Sequence, residues 1–134
     1  MFTVELKSGR LITIKITAPF GLEDLQSFVE RVAAVLTVAP PLIVTCMDLR
    51  SSSILAPDIA DGLISLMRKD NPRIERTALV MGDNALVNLQ VTRMIREAGN
   101  PGRRTFHDAE AAEAWLVEAL SPTEQAALHA FLNP

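Results

Sequence analysis

The chain has 134 residues, a formal net charge of −3, and 49% hydrophobic against 22% charged side chains. That length suits one domain with a real core, the composition suits a globular protein, and no apolar run approaches the ~20 residues needed to cross a bilayer. The negative total, the lack of Tyr and the 4% aromatic content argue against nucleic acid, whose binding draws on cations and stacking platforms.

The N-terminus has no basic segment followed by a long apolar one, so no secretory signal is expected. The single cysteine, Cys46, cannot form an internal disulfide and lies in an apolar run, which reads as an inert core residue in a reducing, cytoplasmic protein. Charge is uneven along the chain. Residues 1–67 sum to −2, residues 68–104 to +4 and residues 105–134 to −5, a pattern of solvated faces or of an electrostatic surface.

Phe2, Val4 and Leu6 alternate with polar residues, as do Ile12, Ile14 and Ile16, predicting two half-buried strands closed into a hairpin at Ser8-Gly9. Leu22, Leu25, Phe28, Val29, Val32 and Leu36 recur at helical spacing, so a helix runs from about Gly21 to Val38 and stops at Pro40-Pro41. Leu42 to Met47 is continuously apolar and ends abruptly at Asp48, the signature of a strand buried on both faces. The polar loop Asp48-Leu49-Arg50-Ser51-Ser52-Ser53 follows, then a helix opening at Ala56-Pro57-Asp58, with Pro57 at a first helical position. Its inner stripe is read as Ile59, Leu63, Leu66 and Met67.

Asn71-Pro72 breaks the pattern before another buried strand, Thr77 to Met81. A third helix follows Gly82-Asp83, with Leu86, Leu89, Met94 and Ile95 as its expected inner stripe, and Gly99 with Pro101 as its stop. Arg104-Thr105-Phe106 reads as a short last strand. Asp108 can cap a fourth helix bearing Ala112, Trp115, Leu116 and Leu120. Ser121-Pro122-Thr123-Glu124 is a capping box for a fifth, docked by Leu128, Phe131 and Leu132. The class is therefore α/β: a mixed, mostly parallel five-stranded sheet, with four helices plus a C-terminal helix and right-handed crossovers. Leu42–Met47 should be central. Residues 1–120 form the domain proper and residues 121–134 a helical extension packed on it.

This order, together with Pro19-Phe20, Met47-Asp48-Leu49-Arg50, Asn71-Pro72-Arg73, Glu97-Ala98-Gly99-Asn100-Pro101 and Ala114-Trp115-Leu116, resembles the STAS domain of anti-sigma-factor antagonists and sulphate transporters, especially its bacterial, SpoIIAA-like branch. The resemblance covers roughly residues 1–120. It implies a non-catalytic regulatory or scaffold module that binds a protein partner through the loop after the central strand and the second helix. Antagonists of that kind carry an Asp-Ser pair at the start of the second helix, whose serine is phosphorylated. Here Ala56-Pro57-Asp58 stands in its place, so the usual phosphoserine switch is absent.

The candidate partner-binding residues are Asp48, Arg50, Ser51, Ser52, Ser53 and Asp58, all where helix N-termini offer unpaired N–H groups at the carboxyl end of the sheet. Asp58 reads either as a fixed negative charge or as a first-turn residue complementing the helix dipole. The three serines read as phosphate acceptors or as a flexible polar loop. Arg50 can hold a partner carboxylate or phosphate, or pair internally with Asp48 or Asp58. Asp48 is expected to anchor the loop through backbone N–H groups. Asp83, Asn84, His107 and Asp108 belong to the same end, with His107 read as a surface histidine rather than an acid–base catalyst.

The helix-to-strand connections collect at the opposite end, where Arg73, Arg76, Arg103 and Arg104 are expected to form a basic patch near Arg68 and Lys69, facing an acidic protein or an anionic surface. An alternative function is a binder of a lipid or other small apolar ligand, in a cavity expected under Phe20, Leu55 and Trp115. No nucleophile with its base, no paired carboxylates, no phosphate-cradling glycine loop and no metal-ligand spacing is present, so neither enzyme activity nor a cofactor or metal is expected.

Overall fold

Alternation of apolar and polar residues makes an antiparallel hairpin of the first sixteen residues in a computed structural model that describes residues 1–134. β1 (Phe2–Ser8) pairs with β2 (Leu11–Ile16), and Gly9 at φ +53° makes the turn. α1 (Leu22–Val38), β3 (Ile43–Leu49), α2 (Pro57–Asp70), a single 3₁₀ turn (Asn71–Arg73), β4 (Ile74–Met81), α3 (Ala85–Ala98), β5 (Arg103–Phe106), α4 (Ala109–Val117) and α5 (Pro122–Leu132) follow. The five strands lie side by side in chain order. Every pairing beyond the hairpin is parallel, and β3 is the central strand.

The strand begins one residue later than the apolar run suggests. Leu11, the first paired residue of β2, meets Val44, so Leu42 precedes the ladder on that side and remains exposed. From there β3 alternates between two cores. Ile43 and Leu49 belong with the α1–α3 side, whereas Val44 and Cys46 face α4 and α5. Leu79 and Met81 of β4 join the first core, and Ala78 and Val80 the second. A sheet covered on both faces accounts for the continuous apolar runs in β3 and β4.

Side-chain caps set several helix starts. The Asn84 carboxamide oxygen accepts from the N–H groups of Leu86 and Val87, the Asp108 carboxylate accepts from Glu110, and Ser121 with Glu124 forms the expected capping box. Starting α3 at Ala85 fixes its phase. Its buried stripe is Val87, Val91, Met94 and Ala98, and Leu86 and Leu89 point outward at 64% and 69% exposure. The expected stripe of Leu86 and Leu89 followed side-chain size, whereas the i, i+4, i+7, i+11 run of smaller residues is the one the helix buries. In α2, Ile59 and Leu63 are buried as expected, with Ala60 and Ile64 completing the stripe. Gly99 at φ +79° ends α3.

α5 lies over the hairpin side of the sheet and α4 over β4 and β5. Leu116 and Leu128 are wholly buried there, and Leu132 nearly so. Glu124 fastens the start of α5 to the hairpin, because its carboxylate accepts from the N–H groups of both Ser121 and Arg10 at 2.8 Å. Those bonds outweigh the burial that would raise its pKa and hold it below the ordinary value of 4.5. The positive φ of the turn calls for glycine, and a Cβ on Gly9 would also crowd the Glu124 carboxylate.

Candidate functional site

The carboxyl end of the parallel strands is assembled from the β3–α2 loop and the starts of α1, α2, α3 and α4. The structure divides the residues expected to act together there. Asp48 faces the α5 side, buried at 5% exposure. Its Oδ1 accepts from the N–H and Nε of Arg50 at 3.0 Å each, and its Oδ2 accepts from Nη2 at 3.1 Å. Burial alone would raise the Asp48 pKa, but the bonds from Arg50 prevail and hold it below the usual 3.8. Arg50 Nη2 also donates to the carbonyl of Leu132 at 3.3 Å, tying the loop to the end of α5. Of the readings open for Arg50, the geometry has the internal pair with Asp48, in the two-pronged form that guanidinium and carboxylate favour. Asp58 takes no part in it.

Ser52, Ser53 and Asp58 lie on the α2 side of the loop. The Ser52 hydroxyl donates to the carbonyl of Ile16 at 2.9 Å and its N–H to that of Leu49, while the Ser51 carbonyl accepts from Ala18. These bonds fasten the loop to the end of β2. The Ser51 and Ser53 side chains are exposed, as is Asp58, whose Oδ1 accepts from the N–H of Ile59 at 3.0 Å. The loop continues through exposed Ile54 to Leu55, whose N–H and carbonyl are both bonded by the Gln90 carboxamide of α3. Gly82 also closes on the loop, because a Cβ there would meet the Arg50 carbonyl at 2.7 Å. His107 and Asp83 are exposed at neighbouring turns. Cys46 is wholly buried, and burial pushes its thiol up to about 12, which makes it a poor nucleophile.

The arginines of the opposite end do not gather into one free patch. Arg73 donates to the carbonyls of Leu36, Ala39, Pro40 and Pro41 at the end of α1. Arg103 is buried at 8% exposure, donating to the Met67 carbonyl near the end of α2 and to the Asn71 side chain. Arg68 donates twice to the Glu97 carbonyl at the end of α3. Three guanidiniums thus satisfy the carbonyl ends of three helices, where orphan acceptors and the negative dipole end favour cations. Arg76 and Arg104 lie instead on the other face of the sheet, over the Trp115 ring at 5.1 and 5.0 Å, and Arg76 also pairs with Glu118 at 2.9 Å. Strand alternation separates neighbours here: Arg103 and Arg104 necessarily point to opposite faces.

An apolar cavity of about 120 Å³ lies between the sheet and α1–α3. Leu55 lines it, whereas Phe20 packs edge-on against Phe2 and Phe28, and Trp115 stacks near Phe106 at 5.6 Å on the opposite side of the sheet. Of the three expected walls, the cavity therefore has Leu55 alone. The separation follows from α4 packing on the face opposite α1–α3.

Two functional features escaped the sequence reading. The Gln90 clamp joins residues 35 apart, although a polar residue within an apolar helix face is the signal that marks it. The exposure of Leu86 and Leu89 was hidden by an incorrect helix phase.

No protein-family model matches the chain, and no curated protein matches it. Among solved structures, the molecule is similar to an uncharacterized protein of the DUF3478 family with a SpoIIAA-like fold from Shewanella loihica PV-4, with a TM-score of 0.66 and 19% sequence identity. The match covers 86% of this chain and 93% of that one. The strand order, the hairpin at the sheet edge and this likeness together establish a SpoIIAA-like α/β fold.

Proposed function

We propose that the chain is a non-catalytic regulatory or scaffold module that binds a protein partner through the β3–α2 loop and the exposed starts of α2 and α3. The observation that carries this reading is the apolar ridge beside the loop: Ile54, Leu86 and Leu89 are 49%, 64% and 69% exposed. Gln90 ties the loop bearing Ile54 to the helix bearing both leucines, so the three side chains belong to one fastened surface. Exposed aliphatic groups grouped on ordered backbone suit a protein interface, with Ser51, Ser53 and Asp58 supplying its polar margin.

The SpoIIAA-like fold supports a regulatory role, without the phosphoserine switch because Ala56-Pro57-Asp58 carries no hydroxyl. No helix is long and apolar enough to cross a membrane, and the reading places the protein in the cytoplasm of a bacterial cell. Asp48 and Arg50 serve the site indirectly, by shaping the loop. Affinity capture from the cells that make the protein tests the proposal, using the native chain beside a Leu86→Glu/Leu89→Glu variant. A stoichiometric partner retained by the first and lost by the second is expected. A partner retained equally by both, or none with the native chain, overturns it.

A further inference from the structure

We propose that the cavity between the sheet and α1–α3 is a binding site for a small uncharged amphiphile, whose apolar body fills the cavity and whose single polar group bonds the Thr77 hydroxyl. Two independent observations converge on this. The first is the cavity itself, about 120 Å³ and lined chiefly by aliphatic side chains from all three helices and the sheet. A dry cavity of ~150 Å³ holds a molecule as large as benzene, whereas water enters only where two to four polar partners await it.

The second is a polar group with nothing to bond. Thr77 is 2% exposed, lines the cavity, and its Oγ1 has no hydrogen-bond partner. Buried hydroxyls are nearly always paired, and an orphan one weakens the fold that carries it. Strand register shows that this hydroxyl is part of a built floor. Thr45 on β3, Thr77 on β4 and Arg103 on β5 are consecutive partners across the parallel ladder, so all three face the same layer. All three line the cavity, together with Asp70 from the end of α2. Ser52, Ser53 and Gln90 line the loop side, and the Thr77 end adds the one unpaired hydroxyl, as in pockets that orient a ligand by a few placed groups.

The charge at that end selects the head group. Arg103 already donates to Asn71 and to the Met67 carbonyl, and Asp70 stands near enough to oppose its loss of charge on burial. A charged head group would have to give up its hydration in a buried layer where the Arg103 donors are already engaged. An alcohol, phenol or carbonyl gives up far less, and each can complete the bond that Thr77 lacks. The cavity also reaches Ser53, Leu55 and Gln90 of the loop and its clamp, whereas Thr77 is buried away from the exposed partner surface.

Phenol and benzene, which differ by one hydroxyl, are the probes, titrated into the ¹⁵N-labelled protein at neutral pH, where phenol is uncharged. Phenol should shift the amides of Thr45, Thr77 and Arg103 in a saturable way. Thr77→Val keeps the side-chain shape and removes the hydroxyl. It should weaken phenol binding about tenfold and leave benzene binding unchanged or stronger, as expected for loss of one neutral hydrogen bond. Val91→Phe, which fills the cavity, should abolish binding of both. Absence of saturable shifts in the native protein overturns the proposal. So does a loss of phenol affinity below threefold in Thr77→Val, or phenol binding that persists in a folded Val91→Phe.

Discussion

Gln90 holds Leu55 by both of its backbone groups: Oε1 accepts from the Leu55 N–H and Nε2 donates to the Leu55 carbonyl, each at 2.9 Å. One side chain thereby does for the β3–α2 loop what a neighbouring strand would do, and it fixes the distance between that loop and α3.

Gln90→Ala should release the loop. Two neutral hydrogen bonds to part-buried backbone are lost, at a cost of about 2 kcal/mol. Hydrogen exchange at Leu55 should quicken far more than at Val80 in the sheet. Gln90→Glu keeps the acceptor but loses the donor to the Leu55 carbonyl, and should fall between the two. Equal exchange at Leu55 in all three proteins would show that the clamp does not order the loop.

Asp48 makes the loop's stability depend on acid. Its folded pKa lies below 3.8, so its contribution is present above the unfolded value and is lost as pH falls through the folded one. In Arg50→Ala the guanidinium bonds and charge that lower the pKa are gone, while the bond from the residue 50 N–H and the burial that raises the pKa remain. The native chain should exceed that variant by about 2 kcal/mol at pH 7, the ordinary range for hydrogen bonds to a charged group. Arg50 is 37% exposed, which keeps the figure below that of a fully buried pair. The gap should narrow as pH falls and close only below the folded pKa of native Asp48, which lies under 3.8, where both proteins hold it protonated. Urea unfolding of the two proteins between pH 7 and pH 3 measures this, and a gap that widens in acid contradicts it.

Arg103 and Arg104 are neighbours with opposite tolerances. Reversing Arg103 to Glu buries a second carboxylate near Asp70 and strips the Met67 carbonyl of its donor, costing about 3–5 kcal/mol. Reversing exposed Arg104 loses only its place over Trp115, worth about 1 kcal/mol. Thermal unfolding of the two variants should therefore differ widely. Similar melting temperatures would show that the burial of Arg103 does not matter.

The strands were legible because alternation and apolar runs report directly on whether one face or both are covered. Gly99, Asp108 and the Ser121–Glu124 box were legible because the chemistry of a helix end is local. The face on which each helix lies was not legible. Nothing in the spacing of Trp115 says that α4 crosses to the side opposite α1, so of Phe20, Leu55 and Trp115 only Leu55 lines the cavity. The Arg50–Asp48 pair could be seen as one of two readings, since its members are two residues apart. The contact of Arg50 with the Leu132 carbonyl spans 82 residues and leaves no local pattern. Arg103 misled because a charged residue at a strand start suggests solvent. What holds it inside is a set of helix-end carbonyls that only the packed structure brings together.

The strand order carries a consequence for how the chain is made. Because β1 to β5 are laid down in succession, each strand finds its neighbour already synthesised, and the helical layer of α1–α3 closes as it grows. The other face is completed late, since α5 follows every strand and covers the earliest two. At translation speeds of about 5–20 residues per second, Val44 waits roughly 4–18 s and Leu11 roughly 6–24 s for Leu128 and Leu132 to arrive. Through that interval the nascent chain carries an apolar sheet face that α5 has not yet covered, so this last helix decides whether the polypeptide leaves the ribosome soluble or sticky.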